Sequence, residues 1–271
     1  MYKEENVVEK YDDFLNVRFL LASEMRPRLL LLLLDSNYDL NGFRDALKKP
    51  SASVLHGLNE LESINLIKKN FKSYALTSKG ILYAVSLKKL FRDLYIFRTH
   101  TDFWQDHSIE SIPAEFFRNS YLLKDSYFVE SDEENLSKPR DKILQLLGSC
   151  DDMRIIMPIF LEDYLERIIE NLERGNDLIL ITNDLVLNSL KNSQYYEKLI
   201  KFSKKEQLTI KKVEDDLQIF LTICENGMAL NLFFNDGLFD NSCVIFNDCT
   251  DGLLWANQLF DFYLKKSIKI I

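Results

Sequence analysis

Three histidines, four cysteines and a dense set of carboxylates are the residues of this 271-residue chain whose types could support catalysis or metal binding. His100 and His107 stand seven positions apart, with Asp102 and Asp106 beside them, a grouping that could imitate part of a metal site. No second cluster completes it, and packing and helix capping account for these residues more simply. Cys150, Cys224, Cys243 and Cys249 form no CxxC pair, so they read as core-filling thiols in a reducing compartment. Asp215 with Asp216, and Asp236 with Asp240, could serve as paired acids, but both pairs fall next to expected turns, where acidic residues normally belong. No GxGxxG, Walker loop or GxSxG elbow occurs, and no histidine follows His107 to supply a base in the C-terminal half. The expectation is a chain that is not an enzyme, binds no metal and needs no cofactor.

A different chemistry is concentrated earlier. Lys48 and Lys49 precede a helical stretch that presents Ser51, Ser53, His56 and Asn59, and Lys68, Lys69 and Lys72 follow it. Asparagine can read an adenine edge through two hydrogen bonds, and serine and histidine can reach bases or phosphates. A helix N-terminus favours a phosphate, and lysines meet the backbone of a duplex. Charge supports this grouping: residues 40–99 carry 11 basic and 4 acidic side chains, a net of +7, within a chain of net charge −8. An acidic protein with one basic segment suggests a polyanion-binding domain joined to a domain with another task. The alternatives are a solvated basic face, a winged helix that binds protein, and His56 as an ordinary surface histidine. Glu60 and Glu62, and the lack of any arginine on the helix, weigh against DNA.

The elements that must position these residues follow from periodicity. "RPRLLLLLLDS", residues 26–36, is too short to cross a membrane: six helical residues rise about 9 Å against roughly 30 Å of hydrocarbon. Acidic residues Glu4, Glu5, Glu9, Asp12 and Asp13 precede it, unlike a signal peptide, so no membrane partner and a cytoplasmic location are expected. Ser23 can cap this leucine helix and Pro27 fits its first turn. A second short helix, "LNGFRDAL", ends at "KKP". The third, "SASVLHGLNELESINL", begins with Ser51 as its cap and has Val54, Leu55, Leu58 and Leu61 as its apolar stripe. Asn65 suits the left-handed stop. Strands over Leu66–Lys69 and Tyr74–Thr77 then flank a basic tip, "NFKS". Helices, a turn, a helix and a two-stranded wing make a winged helix-turn-helix.

Residues 78–97 read as one long helix in which Ala84, Leu87, Phe91 and Leu94 form a seam suited to pairing two subunits, or to packing on the next domain. From Asp125 strands and helices alternate, closing with "GLLWANQLFDFYLKKS". The fold class expected is therefore mixed. It has an α+β winged helix-turn-helix at 1–77, a helical connector at 78–123, and an α/β regulatory domain at 124–271 with a mostly parallel sheet plus antiparallel strands. A ligand crevice at the carboxyl ends of parallel strands would fall after Phe160 and Thr182, but no residue there declares an effector.

Four stretches, "LLASEMRPRLLLLLLDS", "SASVLHGLNELESINLI" with "YALTSKG", "FWQDHSIESIP", and the ending with Trp255, Leu259, Phe260 and Tyr263, resemble the archaeal methanogenesis-regulator-type transcriptional regulators. The resemblance covers nearly the whole chain. It implies a homodimeric regulator of double-stranded DNA with a sheet-containing sensor domain, served by a small-molecule effector or a histidine-kinase signalling partner. The family's polar reading positions fall on His56 and Asn59. Gly57, inside the reading helix, costs about 1 kcal/mol against alanine.

Overall fold

The computed structural model describes residues 14–214 and 216–271, and the chain divides in sequence into two compact units between Arg92 and Asp93. The acidic residues up to Asp13, and Asp215 of the pair with Asp216, lie outside the described residues.

In the first unit, α1 (Phe14–Leu21) and α2 (Met25–Asp35) are followed by β1 (Tyr38–Asp39), α3 (Leu40–Leu47), α4 (Ser51–Ser63), β2 (Ile67–Asn70), β3 (Ser73–Leu76) and α5 (Ser78–Asp93). The three strands form an antiparallel sheet in the order β1-β3-β2. This is the expected winged helix-turn-helix, with one addition: the "DSNYD" stretch both stops α2 and lends Tyr38 and Asp39 as a third strand, opposite Tyr74 and Ser73.

The leucine run is the seat of this unit. Leu29, Leu30 and Leu33 are fully buried with Phe43, Val54, Leu58 and Leu61, while Leu31, Leu32 and Leu34 are half-buried on the flanks. The Ser23 hydroxyl accepts from the backbone N–H of Met25 (3.2 Å) and Arg26 (3.4 Å), relieving two of the donors a helix start leaves open. The buried stripe of α4 differs from expectation: Leu55, 100° around the helix from Val54, is exposed, and Gly57 is buried in its place. A Cβ on Gly57 would stand 2.9 Å from both Leu29 Cδ1 and Met25 Cγ. The glycine that helix propensity disfavours therefore lets α2 and α4 approach closely.

The second unit contains α6 (Tyr95–Thr99), α7 (Thr101–Asp106), α8 (Ala114–Phe117), β4 (Tyr127–Glu130), α9 (Lys138–Gly148), β5 (Asp152–Met157), α10 (Glu162–Glu173) and β6 (Asp177–Thr182). It continues through α11 (Asp184–Asn192), α12 (Tyr196–Lys204), β7 (Leu208–Lys212), β8 (Ile219–Cys224), β9 (Gly227–Leu232), β10 (Cys243–Asn247), α13 (Thr250–Lys266) and β11 (Ile268–Lys269). Its eight-stranded sheet runs β11-β7-β6-β5-β8-β9-β10-β4. The sheet is mixed, as expected, but the balance is reversed. Only β5, β6 and β7 pair in parallel, and the other strands join antiparallel. Connection length decides this, because β8 and β9 are joined by two residues, Glu225 and Asn226, and a link so short cannot make a parallel crossover.

Both sheet faces are covered. One core includes Ile143, Leu165, Ile168 and Leu187 from α9, α10 and α11, and the other includes Trp255, Leu259, Phe260 and Tyr263 from α13. Two of the stretches that carried the resemblance meet here. The Trp255 indole N–H donates to the Phe116 carbonyl (3.2 Å), and the Tyr263 hydroxyl donates to the Ser111 carbonyl.

Two sequence expectations about reactive residues change. Cys150 and Cys224 are joined as a disulfide with a Cα–Cα distance of 5.3 Å, leaving Cys243 and Cys249 as thiols. No histidine follows His107, as the sequence shows, but His107 itself belongs to the second unit, where it is buried and bonds to Asp240. Neither contact could be read from spacing, since the partners are 74 and 133 positions apart.

Candidate nucleic-acid interface

Helix α4 is held so that its polar face stays open. Its N-cap is Pro50 rather than Ser51, with no side-chain cap, so Ser51 stands exposed as the first helical residue. The approach is set by α3, which Asp39 caps through Oδ1 to the Gly42 N–H (2.7 Å) and which Lys48 ends in the left-handed conformation, φ +51°. At the far end, the Leu66 N–H bonds to the Leu61 carbonyl and the Asn65 N–H to the Glu62 carbonyl, both 3.0 Å. Asn65 has φ +58°, so this is a Schellman stop with buried Leu61 and Leu66 beside it.

The wing is locked to that stop. The Leu66 carbonyl accepts from the Thr77 N–H (3.0 Å) and hydroxyl (3.2 Å), and the same hydroxyl reaches the Asn65 carbonyl at 2.7 Å. Thr77 Oγ1 in turn accepts from the Gly80 N–H at 3.0 Å. A Cβ on Gly80 would lie 1.8 Å from the Leu66 carbonyl oxygen, so only glycine fits. The "YALTSKG" stretch thus has a physical reading: its threonine and glycine fasten the wing and α5 to the end of α4.

Every nucleic-acid candidate named from sequence lies on this unit's surface: Lys48, Lys49, Ser51, Ser53, His56, Asn59, Lys68, Lys69 and Lys72 are all exposed. Among the described residues, none of these five lysines pairs with a carboxylate; Lys124, Lys138, Lys198 and Lys212 of the second unit do, while others there, such as Lys142 and Lys201, do not. Lys69 lies over the Tyr74 ring, 5.6 Å from its centroid.

Of the two acidic residues that weighed against DNA, Glu62 stays exposed and Glu60 is neutralised from behind. Arg26 of α2 takes Glu60 in a two-pronged pair, and the guanidinium holds the Glu60 carboxyl below the usual carboxylate range. His56 Nε2 stands 3.5 Å from Glu60 Oε1, on the exposed side. Arg26 itself is steadied by the Phe19 carbonyl and lies 3.8 Å over the Phe19 ring. Sequence reading missed Arg26, because its partner is 34 residues away.

The seam residues divide. Ala84 and Leu87 pack into the first unit's own core, while Phe91 and Leu94 are exposed. The outward residues Ile81, Leu82 and Val85 of α5 are exposed as well.

In the second unit, the chain next to Phe160 and Thr182, where a crevice was expected, is tied by local bonds. Thr182 Oγ1 donates to the Met157 carbonyl (2.6 Å), and Asn183 bonds to the Pro158 carbonyl and caps α11 at the Val186 N–H. A cavity of about 200 Å³ lies beside α9, the β8–β9 turn and the end of β10, lined by Tyr127, Lys142, Gln145, Ser149, Asn226 and Asp248 among others. His100 stacks on Phe128 (3.5 Å between centroids), and among the described residues no group of three or more His, Cys, Asp or Glu is placed to hold a metal ion. No helix among them is long and apolar enough to cross a membrane.

The family models for the methanogenesis regulatory protein FilR1 match this chain twice, the N-terminal domain over residues 14–95 and the middle domain over 136–266. The chain belongs to this family of archaeal regulators. It is 24% identical over 266 residues to the methanogenesis regulatory protein FilR1 of Methanothrix harundinacea (strain 6Ac). The match covers 96% of this chain and 59% of that protein, so the chain spans about three fifths of its relative. Among solved structures, it is similar to TrmBL2, described as an archaeal chromatin protein with a novel mode of DNA binding. That match has a TM-score of 0.44 and 13% identity, and covers 97% of this chain and 99% of that one. It is similar also to phosphatidylserine synthase of Haemophilus influenzae Rd KW20, with a TM-score of 0.40 and 16% identity, over 54% of this chain and 39% of that one. These are loose likenesses.

Proposed function

We propose that this FilR1-family chain is a cytoplasmic transcriptional regulator, not an enzyme, whose winged helix-turn-helix binds double-stranded DNA and whose second unit receives a signal. The observation that carries the reading is the set of five exposed lysines without carboxylate partners around the open polar face of α4. Gathered around one exposed helix face in an otherwise acidic chain, such a set is available to phosphates. Ser51, Ser53, His56 and Asn59 face the major groove, Lys48 and Lys49 take phosphates at its edge, and Lys68, Lys69 and Lys72 follow the backbone beside the wing.

Two copies pair along α5 and the turn after it, through the exposed Ile81, Leu82 and Val85 with Phe91 and Leu94, to address two half-sites. The signal is a small molecule or a histidine-kinase signalling partner; a small polar effector finds room in the cavity beside Lys142 and Gln145.

Binding of the full chain to duplex DNA across a salt series tests the reading. Affinity falls steeply with salt, and replacing Lys68, Lys69 and Lys72 together by alanine lowers the log–log slope by about 3. A chain that binds no duplex even at low salt, with or without candidate effectors, is not such a regulator.

A further inference from the structure

The tip of the wing carries a side chain that the free protein does not use. Asn70 and Ser73 close the β2–β3 hairpin, and the two residues between them are Phe71 and Lys72. Phe71 is 101% exposed, the most exposed large apolar side chain among the described residues. It also has φ +53°, in the left-handed region. Glycine, asparagine or aspartate is the ordinary occupant of such a turn position, since a bulky side chain there is strained. Phenylalanine at this point is thus doubly unfavourable, by backbone and by solvation, and nothing in the folded unit offsets either cost. Strain and exposure that coincide at one residue point to a use in the bound state.

The surroundings name the occupant. Lys72 follows the ring in the turn, Lys68 and Lys69 stand exposed on the preceding strand, and the open groove at the ring is lined by Asn37, Asp39, Asn70, Lys72 and Ser73. Asp39 is the one acid there, and its Oδ1 is already engaged in capping α3. An exposed aromatic ring beside a lysine, at the end of a narrow hairpin whose strand carries two more, suits a polyanion with stacked bases. A B-form minor groove is about 6 Å wide, too narrow for two strands about 4.8 Å apart with their side chains, so only the turn can enter it.

We propose that Phe71 is a wedge that enters the minor groove and partly unstacks one base step, bending the duplex while the flanking lysines hold its phosphates. The inference rests on the regulator reading above and deepens it. Apolar wedges open steps and kink DNA away from the inserted side, and pyrimidine–purine steps open most easily. The wing then contributes sequence preference through deformability, with no hydrogen bond to a base.

The test uses the full chain and a short duplex recovered from genomic fragments that the chain retains. The duplex carries end-placed donor and acceptor dyes and 2-aminopurine at its pyrimidine–purine steps. Binding of the unaltered chain raises 2-aminopurine fluorescence at one step and brings the duplex ends closer. Phe71→Ala abolishes both signals and weakens binding roughly tenfold, with the salt slope unchanged. Phe71→Trp restores them. Phe71→Gly behaves as the alanine variant while melting at or above the temperature of the unaltered chain, since the turn is relieved, which separates lost contact from lost fold. If Phe71→Ala still binds, bends and unstacks the duplex while the triple lysine variant loses its salt slope, the wedge is overturned and the regulator reading stands. If no duplex binds at all, the regulator reading falls and the wedge with it.

Discussion

Arg26 and Glu60 join the leucine helix α2 to α4 through a two-pronged pair, Nε to Oε2 at 2.8 Å and Nη2 to Oε1 at 2.5 Å. Both side chains are mostly covered, at 14% and 23% exposure, so the pair is better shielded from water than an ordinary surface bridge. It does two things at once: it fixes the rotation of α4 on α2, and it removes a free carboxylate from a helix that would face phosphates.

Replacing Arg26 by alanine is therefore expected to cost about 2 kcal/mol of stability, the range for hydrogen bonds to a charged group, read as a shift in the denaturant midpoint. The pH dependence has a defined sign. The folded-state pKa of Glu60 is lowered, chiefly by the Arg26 hydrogen bond, against an ordinary value of 4.5. Its contribution is complete above that value and is lost as pH falls through the lower, folded one. The alanine variant should show a smaller acid-side loss, and its duplex affinity should drop because Glu60 is left bare. A variant with unchanged stability and affinity would remove both roles.

The two glycines of the first unit make separable predictions. At Gly80 an added Cβ meets a backbone carbonyl, which cannot rotate away, so Gly80→Ala should cost about 3 kcal/mol or more and loosen the wing. At Gly57 the obstacles are side-chain carbons of Leu29 and Met25. There an overpacking cost of about 1–3 kcal/mol is set against about 1 kcal/mol of regained helix propensity. Gly57→Ala should thus destabilise by no more than about 2 kcal/mol. Thermal or denaturant unfolding of the two variants ranks them, and equal losses would contradict the distinction.

Legibility in the sequence followed distance along the chain. Elements defined by local period were readable: "LNGFRDAL" is α3 to the residue, and Asn65 stops α4 as its tolerance of positive φ suggests. Features that depend on partners far away were not. The buried Gly57 looked like a defect because its reason is Met25 and Leu29, and Glu60 looked like an obstacle because Arg26 was not visible beside it. Strand direction was misjudged for the same reason. Buried strands look alike whether parallel or not, and the two-residue link at Glu225 and Asn226 decides what the apolar runs cannot. The helical sequence over 184–204 forms two helices, α11 and α12, parted at Ser193–Tyr195, where Ser193 Oγ donates to the Leu190 carbonyl.

The disulfide between Cys150 and Cys224 closes a span of 74 positions, for which the chain-entropy relation gives about 4 kcal/mol. Reductant should therefore lower the melting temperature, and Cys150→Ser should reproduce the reduced value and make it insensitive to reductant. Thiol counting under denaturing, non-reducing conditions should find Cys243 and Cys249 alone. Cys243 is buried and its thiol is pushed up to about 12 by that burial, so it should resist alkylation until the chain unfolds. Four titratable thiols would remove the cross-link.

His107 and Asp240 supply the last prediction. His107 Nε2 lies 2.9 Å from Asp240 Oδ2, and Nδ1 lies 2.6 Å from the Phe103 carbonyl, with the ring stacked between Phe103 and Phe234. Both ring nitrogens thus lie within hydrogen-bond distance of an oxygen. Asp240 also accepts from the Ser242 N–H (2.7 Å) and hydroxyl (2.6 Å). Burial pushes the Asp240 carboxyl upward, but the bonds from His107 and Ser242 outweigh it, and its pKa lies below the ordinary 3.8. Its share of stability is therefore present above that value and lost as pH falls through the folded one. Removing one partner strands the other in a site where both side chains are under 5% exposed, so Asp240→Ala should cost about 3–5 kcal/mol. His107→Phe keeps the stacking and strands the carboxylate, so it should cost nearly as much. The double variant Asp240→Ala with His107→Phe should cost less than the sum, which a double-mutant cycle by denaturant unfolding measures. Strict additivity would mean that the two side chains stabilise the unit independently of one another.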